Sequence, residues 1–218
     1  MSAPDISAVL IAGDEGPRSG ISLHSALEAA DAARQAGLEV EVLVVLGGAS
    51  YGTREALSEA TDSGARVEAI GAVDPGAVRN YAAAAAAGGH VALLDGGSVW
   101  SENWLTAAHA MCVTEPGRLI VHPEIHWFYE PGRELYFPPD QDDPDFDPAV
   151  LRLGNCWDAQ AMAAASVYRD VPLPELGDQA APGQLDWDWN AATIAEGLRH
   201  RVVPGTISFR RRRPRTLR

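Results

Sequence analysis

Two stretches of this chain hold side chains suited to binding or transforming a ligand. In VALLDGGSVWSENWL (residues 91–105) an apolar run ends at Asp95, and a serine-started helix follows. A carboxylate at the carboxyl end of a strand in an α/β sheet stands where such sheets bind ligands. The plainer alternative is a turn acid or helix cap, with Ser98 and Ser101 as competing caps. The second stretch is RLIVHPEIHWFY (residues 118–129), where His122, Glu124 and His126 alternate. On a strand, alternate residues share a face, so imidazole and carboxylate ligands could meet zinc or manganese there. Pro123 interrupts that pattern, and histidines hydrogen-bonded to their neighbours are the simpler reading.

These residues need elements to hold them. Residues 7–12 and 40–46 are β-branched-rich runs of strand length. Between them, residues 22–36 repeat apolar positions at helical spacing, with Ser25 and Glu28 spaced as a capping box and Gly37 as the stop. A helix over 53–63 and a strand over 66–70 follow. DPGAVRNYAAAAAAGG (residues 74–89) reads as a turn and an Ala-rich helix, stopped by Gly88-Gly89 before a strand over 90–94. Strand and helix in alternation imply an α/β fold with a largely parallel sheet covered on both faces.

Beyond Met111 the rhythm breaks. Residues 118–129 are strand-like, and 134–137 pair with them across Pro131-Gly132. PPDQDDPDFDP (138–148) reads as a mobile loop, because prolines prevent regular structure and like charges repel. Residues 191–200 have helical character up to Gly197, and a strand then runs into an arginine-rich tail.

Composition bounds the rest. The 218 residues, 46% hydrophobic, suffice for one core and one domain. No apolar run approaches the roughly 20 residues needed to span a bilayer, and MSAPDIS lacks a basic-then-apolar leader. The expected location is the cytoplasm. Cys112 and Cys156 are too few and too far apart for a disulfide scaffold or zinc site. The chain has no Lys, which removes Schiff-base chemistry and a P-loop lysine. Eight of 17 basic residues lie in 199–218, a stretch without acids, leaving residues 1–198 at −21. Such a tail fits an arm folded over an acidic body better than a nucleic-acid contact; no nucleic-acid partner is expected.

The helix, strand, acid, helix unit around Asp95 resembles the family 2 glycosyltransferases, which have the GT-A fold and use a nucleotide-activated sugar. In that family an Arg-Asn helix start precedes a strand ending Leu-Asp-x-Asp-Asp and a Trp-containing helix entry. Here Arg79-Asn80, Leu94-Asp95, Trp100 and Trp104 fit it. SAVLIAGDEG (7–16), VEVLVVLGGASYGTREAL (40–57) and LDWDWNAATIAEGLRHRVVPGTISFRRRR (185–213) extend the likeness in matching order over most of the chain. The resemblance implies a nucleotide-sugar-binding half (1–110), an acceptor-side half (111–198) and a tail (199–218). It assigns Asp14, Gly47, Arg79, Asp95, Gly96, Gly97, His200 and Arg210 to the nucleotide-sugar, Asp95 to a divalent cation (Mn or Mg), and Asp186 to the base. Its activity is transfer of a sugar to a hydroxyl acceptor, with inversion.

Several family acids are missing. The second metal-motif Asp falls on Gly97, the nucleotide-binding acids fall in Leu46-Gly47-Gly48-Ala49, and the Glu before the base is Leu185. A glycine cannot coordinate a cation, although its backbone N–H can approach a phosphate closely. The competing expectation is a binding or scaffolding protein that keeps the fold without catalysis.

Overall fold

The computed structural model describes residues 3–129, 132–175 and 183–211. The predicted turn at Pro131 and tail residues 212–218 lie outside them. One nine-stranded sheet runs through the molecule, with β7 branching from β6 and the others in the order β3-β2-β1-β4-β8-β6-β9-β5. Strands β1 (Ile6–Ala12), β2 (Val40–Gly47), β3 (Arg66–Ile70) and β4 (His90–Asp95) are mutually parallel. Of these, β1, β2 and β4 are buried on both faces, which is why they read as continuous apolar runs.

Side-chain alternation divides the core. Ala92 and Leu94 of β4 pack under α1 (Arg18–Gln35) and α4 (Trp104–Cys112). Val91 and Leu93 pack under α3 (Pro75–Ala85), α5 (Ala165–Asp170) and α6 (Gln184–Ala195). Asp95 continues the second set, so its carboxylate leaves the sheet on the α3/α6 side.

On the far side of β4, the short β8 (Met162–Ala164) runs antiparallel, and β6 (Leu119–Tyr129) runs antiparallel to β8. β6 then lies parallel to β9 (Arg199–Arg211), with a register shift between Pro123 and Ile125. The extra residues are on β9, at 204–206; Pro204 there lacks the N–H for a ladder bond, and a bulge accommodates it. β7 (Arg133–Tyr136) pairs with β6, and β5 (Val99–Trp100) closes the edge.

Three local expectations change. α1 begins at Arg18, four residues before the predicted start; buried Ser25 accepts a hydrogen bond from Trp100 N at 3.1 Å instead of capping. α2 is only Tyr51–Ala56, capped by Ser50, where a helix to 63 was expected. The acidic loop is docked: Asp140 accepts from Arg201 Nε at 2.6 Å and Val202 N at 3.0 Å, and Asp142 pairs with Arg199. Arg199, Arg201 and Arg210 of β9 thus pair with acids of the body, while the tail from 212 on lies outside the described residues. Among the described residues no helix is long and apolar enough to cross a membrane.

Candidate active site

Asp95 ends β4 at the seam where the parallel strands meet antiparallel β8, the position where α/β sheets open to ligands. β8 pairs with residues 90–92 and Leu93 N still donates to Ala161 O at 3.1 Å, after which the chain at 158–160 leaves the ladder beside Asp95. Gln160 Oε1 accepts from Asp95 N at 3.0 Å, and Gln160 N donates to Asp158 Oδ1 at 2.8 Å. α3 supplies the counter-charge. Its start is fixed by Asp74, which accepts from Gly76 N and Ala77 N, with Pro75 at the first helical turn. One turn on, Arg79 Nη2 donates to both carboxylate oxygens of Asp95, at 2.6 and 2.7 Å. Asn80 is structural, clasping Leu173 through paired backbone bonds of 2.8 Å.

Asp186 arrives from the first turn of α6 and shares this environment. Burial pushes its carboxyl up to about 6; Asp95 adds to the rise, while Arg79 and the Ala159 N–H oppose it. Burial also pulls the Arg79 guanidinium down, but the charges of Asp95 and Asp186 more than offset this and raise it. Arg79 is thus paired with Asp95 and also feels the charge of Asp186. Trp187 and Trp189 anchor the helix: Trp187 Nε1 donates to Leu151 O at 2.9 Å and Trp189 Nε1 to Val171 O at 2.8 Å.

Arg210 approaches from β9, pairs with Asp158 and lies 5.6 Å from the Phe128 ring centroid. Burial lowers it to about 10, with Asp95 supporting its charge and Arg79 opposing. On the other flank of the Gly96-Gly97 turn lies an open pocket of about 280 Å³, with Asp14, Glu15, Arg18, Ser98 and Arg211 in its wall. Gly97 has φ +83°, a left-handed conformation that favours glycine, and Tyr129 Oη donates to its carbonyl at 2.9 Å.

The structure gathers Arg79, Asp95, Asp186 and Arg210, and sets Asp14, Gly96 and Gly97 on the adjoining pocket. It does not gather the His-x-Glu-x-His set. His122 Nε2 bonds His200 Nδ1 at 2.9 Å in the core, while the Glu124 carboxylate accepts from Gly205 N at 2.8 Å. The extra residues at this slip lie on β9, at 204–206, and Glu124 bonds to that bulge while both histidines stay buried. Among the described residues, no three His, Cys, Asp or Glu side chains converge to hold a metal. His200 is fully buried, stacked on Trp157 and bonded to Thr193. Gly47 is required by packing: a Cβ there would come within 2.7 Å of Val78.

Sequence reasoning missed Asp158, Gln160, Arg18 and Arg211. The polar pair inside the apolar run CWDAQAMAAA was the available signal for the first two.

The parallel β3-β2-β1-β4 half-sheet, the antiparallel β8 and the acid at their seam define an α/β protein of the GT-A type. No protein-family model and no curated protein sequence matches the chain. Among solved structures it is similar to S. aureus TarS. TarS 1–349 in complex with UDP-GlcNAc superposes with a TM-score of 0.73 at 14% identity, covering 96% of this chain and 59% of that one. The TarS structure covered to 37% gives 0.72 at 15% identity over 96% of this chain. TarS 1–349 with UDP gives 0.70 at 14% identity, covering 96% of this chain and 61% of that one. At these identities the likeness establishes the fold.

Proposed function

We propose that this chain is a glycosyltransferase of the family 2 type, transferring a sugar from a nucleotide-sugar donor to a hydroxyl acceptor with inversion. The observation that carries the reading is the Arg79–Asp95 pair at the carboxyl end of β4, beside the pocket at Gly96-Gly97 and with Asp186 near enough to feel both charges. The likeness to glycosyltransferase structures that hold UDP-GlcNAc and UDP supports it.

In this reading the donor diphosphate lies along the Gly96-Gly97 turn. The acceptor oxygen bonds to the anomeric carbon as the bond to the diphosphate oxygen breaks, and the electron pair departs on the diphosphate. Asp186 takes the hydroxyl proton. A carboxyl near 6 is ionised at neutral pH yet more basic than an ordinary carboxylate, which suits a general base. Inversion follows from a single displacement with one base.

The test is release of nucleoside diphosphate from a panel of UDP-, GDP- and dTDP-sugars at pH 7.5, with and without simple alcohol acceptors. The expected result is turnover of one donor class, lowered about 100-fold or more by Asp186→Asn. Turnover of none, or an unchanged rate in the variant, refutes the proposal.

A further inference from the structure

The resemblance implies a divalent cation under the donor diphosphate, and the residues present do not fit one. Both Asp95 oxygens are already taken by Arg79 Nη2, at 2.6 and 2.7 Å. Gly97, where a second acid belongs, has no side chain, and no three-ligand cluster exists among the described residues. A cation seated on Asp95 would have to share that carboxylate with a buried guanidinium, whose positive charge repels it, and would find no second acid at Gly97.

Arginines nevertheless gather around the turn, among the carboxylates of Asp95, Asp158, Asp14 and Glu15. The end of β9 sends consecutive residues to opposite faces. Arg210 goes to the Asp95 side, where it feels the charges of Asp95 and Arg79, and Arg211 goes to the pocket shared with Arg18. Four arginines thus flank Gly96-Gly97. Arg79 Nε is also a buried donor with no acceptor among the described residues. The planar guanidinium is well matched to phosphate oxygens, through paired charge-assisted hydrogen bonds.

Resting on the function proposed above, we infer that the donor diphosphate is neutralised by Arg79 and Arg210 on one flank of the turn and Arg18 and Arg211 on the other, without a divalent cation. Arginine replaces the metal by position: Arg79 occupies the acid that would hold it.

The experiment is calorimetric titration of the whole chain with UDP, GDP and dTDP in EDTA and again in Mn²⁺, beside a Mn²⁺ titration read by electron paramagnetic resonance. The expected result is a nucleotide bound with the same Kd, within twofold, in both buffers, and no Mn²⁺ site that Asp95→Asn abolishes. Arg210→Gln weakens that nucleotide tenfold or more in either buffer, and Arg210→Lys recovers part of the loss. Binding that needs Mn²⁺, or tightens tenfold with it, overturns the inference and leaves the transferase reading standing. Absence of binding by every nucleotide in both buffers overturns the transferase reading as well.

Discussion

Replacing Asp186 by Asn should lower turnover about 100-fold or more and yet stabilise the fold at neutral pH. The Asp186 carboxyl stands at about 6 against an ordinary 3.8, because burial and Asp95 outweigh Arg79 and the Ala159 N–H. A carboxyl raised in the folded state is an ionisation penalty: absent below the unfolded pKa near 4, growing between 4 and 6, and complete above 6. At 1.36 kcal/mol per unit the shift corresponds to about 3 kcal/mol, and partial exposure of the side chain brings the expectation to about 1–3 kcal/mol. Asn keeps an oxygen for the Ala159 N–H and removes the charge. Urea unfolding should therefore show Asp186→Asn more stable than the parent at pH 7.5, with the difference shrinking towards zero near pH 4. A variant less stable at pH 7.5, or a difference independent of pH, refutes the electrostatic description of the site.

Other consequences are equally direct. The turnover rate should fall as pH drops through about 6, tenfold per unit below it, as Asp186 gains a proton; a flat profile from pH 7.5 to 5 would remove it as the base. Burial holds His126 and His200 down to about 3 and His122 well below its usual value, the last with help from His200 and His126. Depressed histidines contribute stability above pH 6.5 that is lost on acidification, at about 1.4 kcal/mol per pH unit for each proton taken up on unfolding. Denaturation midpoints from pH 7.5 to 5 measure this, and His200→Gln should flatten the slope by about one proton. Gly47→Ala should cost about 1–3 kcal/mol through overlap with Val78 at 2.7 and 2.9 Å, and Val78→Ala should relieve it in a double-mutant cycle.

The parallel half-sheet was legible because strands buried on both faces are apolar in their centres, as 8–12, 42–46 and 91–94 are. Asp95 stood out for the same reason: it is the first charge after such a run. Asp186 required the family resemblance, since an acid in the first turn of a helix is otherwise unremarkable there. The contacts that give the site its character cross long sequence distances. Arg79 reaches Asp95 over 16 residues, Gln160 reaches it over 65, and Arg210 reaches Asp158 over 52. No local period encodes such meetings. The histidine pattern misled because spacing does not show what the side chains bond to: His122 pairs with His200 in the core, and Glu124 bonds to Gly205 in a bulge of β9.

The central claim is that a nucleotide-sugar sits on the rim defined by Arg79, Asp95 and Asp186. A crystal structure of the chain soaked with the donor that it turns over tests this most directly. The account predicts diphosphate density along Gly96-Gly97, within hydrogen-bond distance of the flanking arginines, with the anomeric carbon facing Asp186. Nucleotide density elsewhere on the molecule, or a sugar turned away from Asp186, would contradict it.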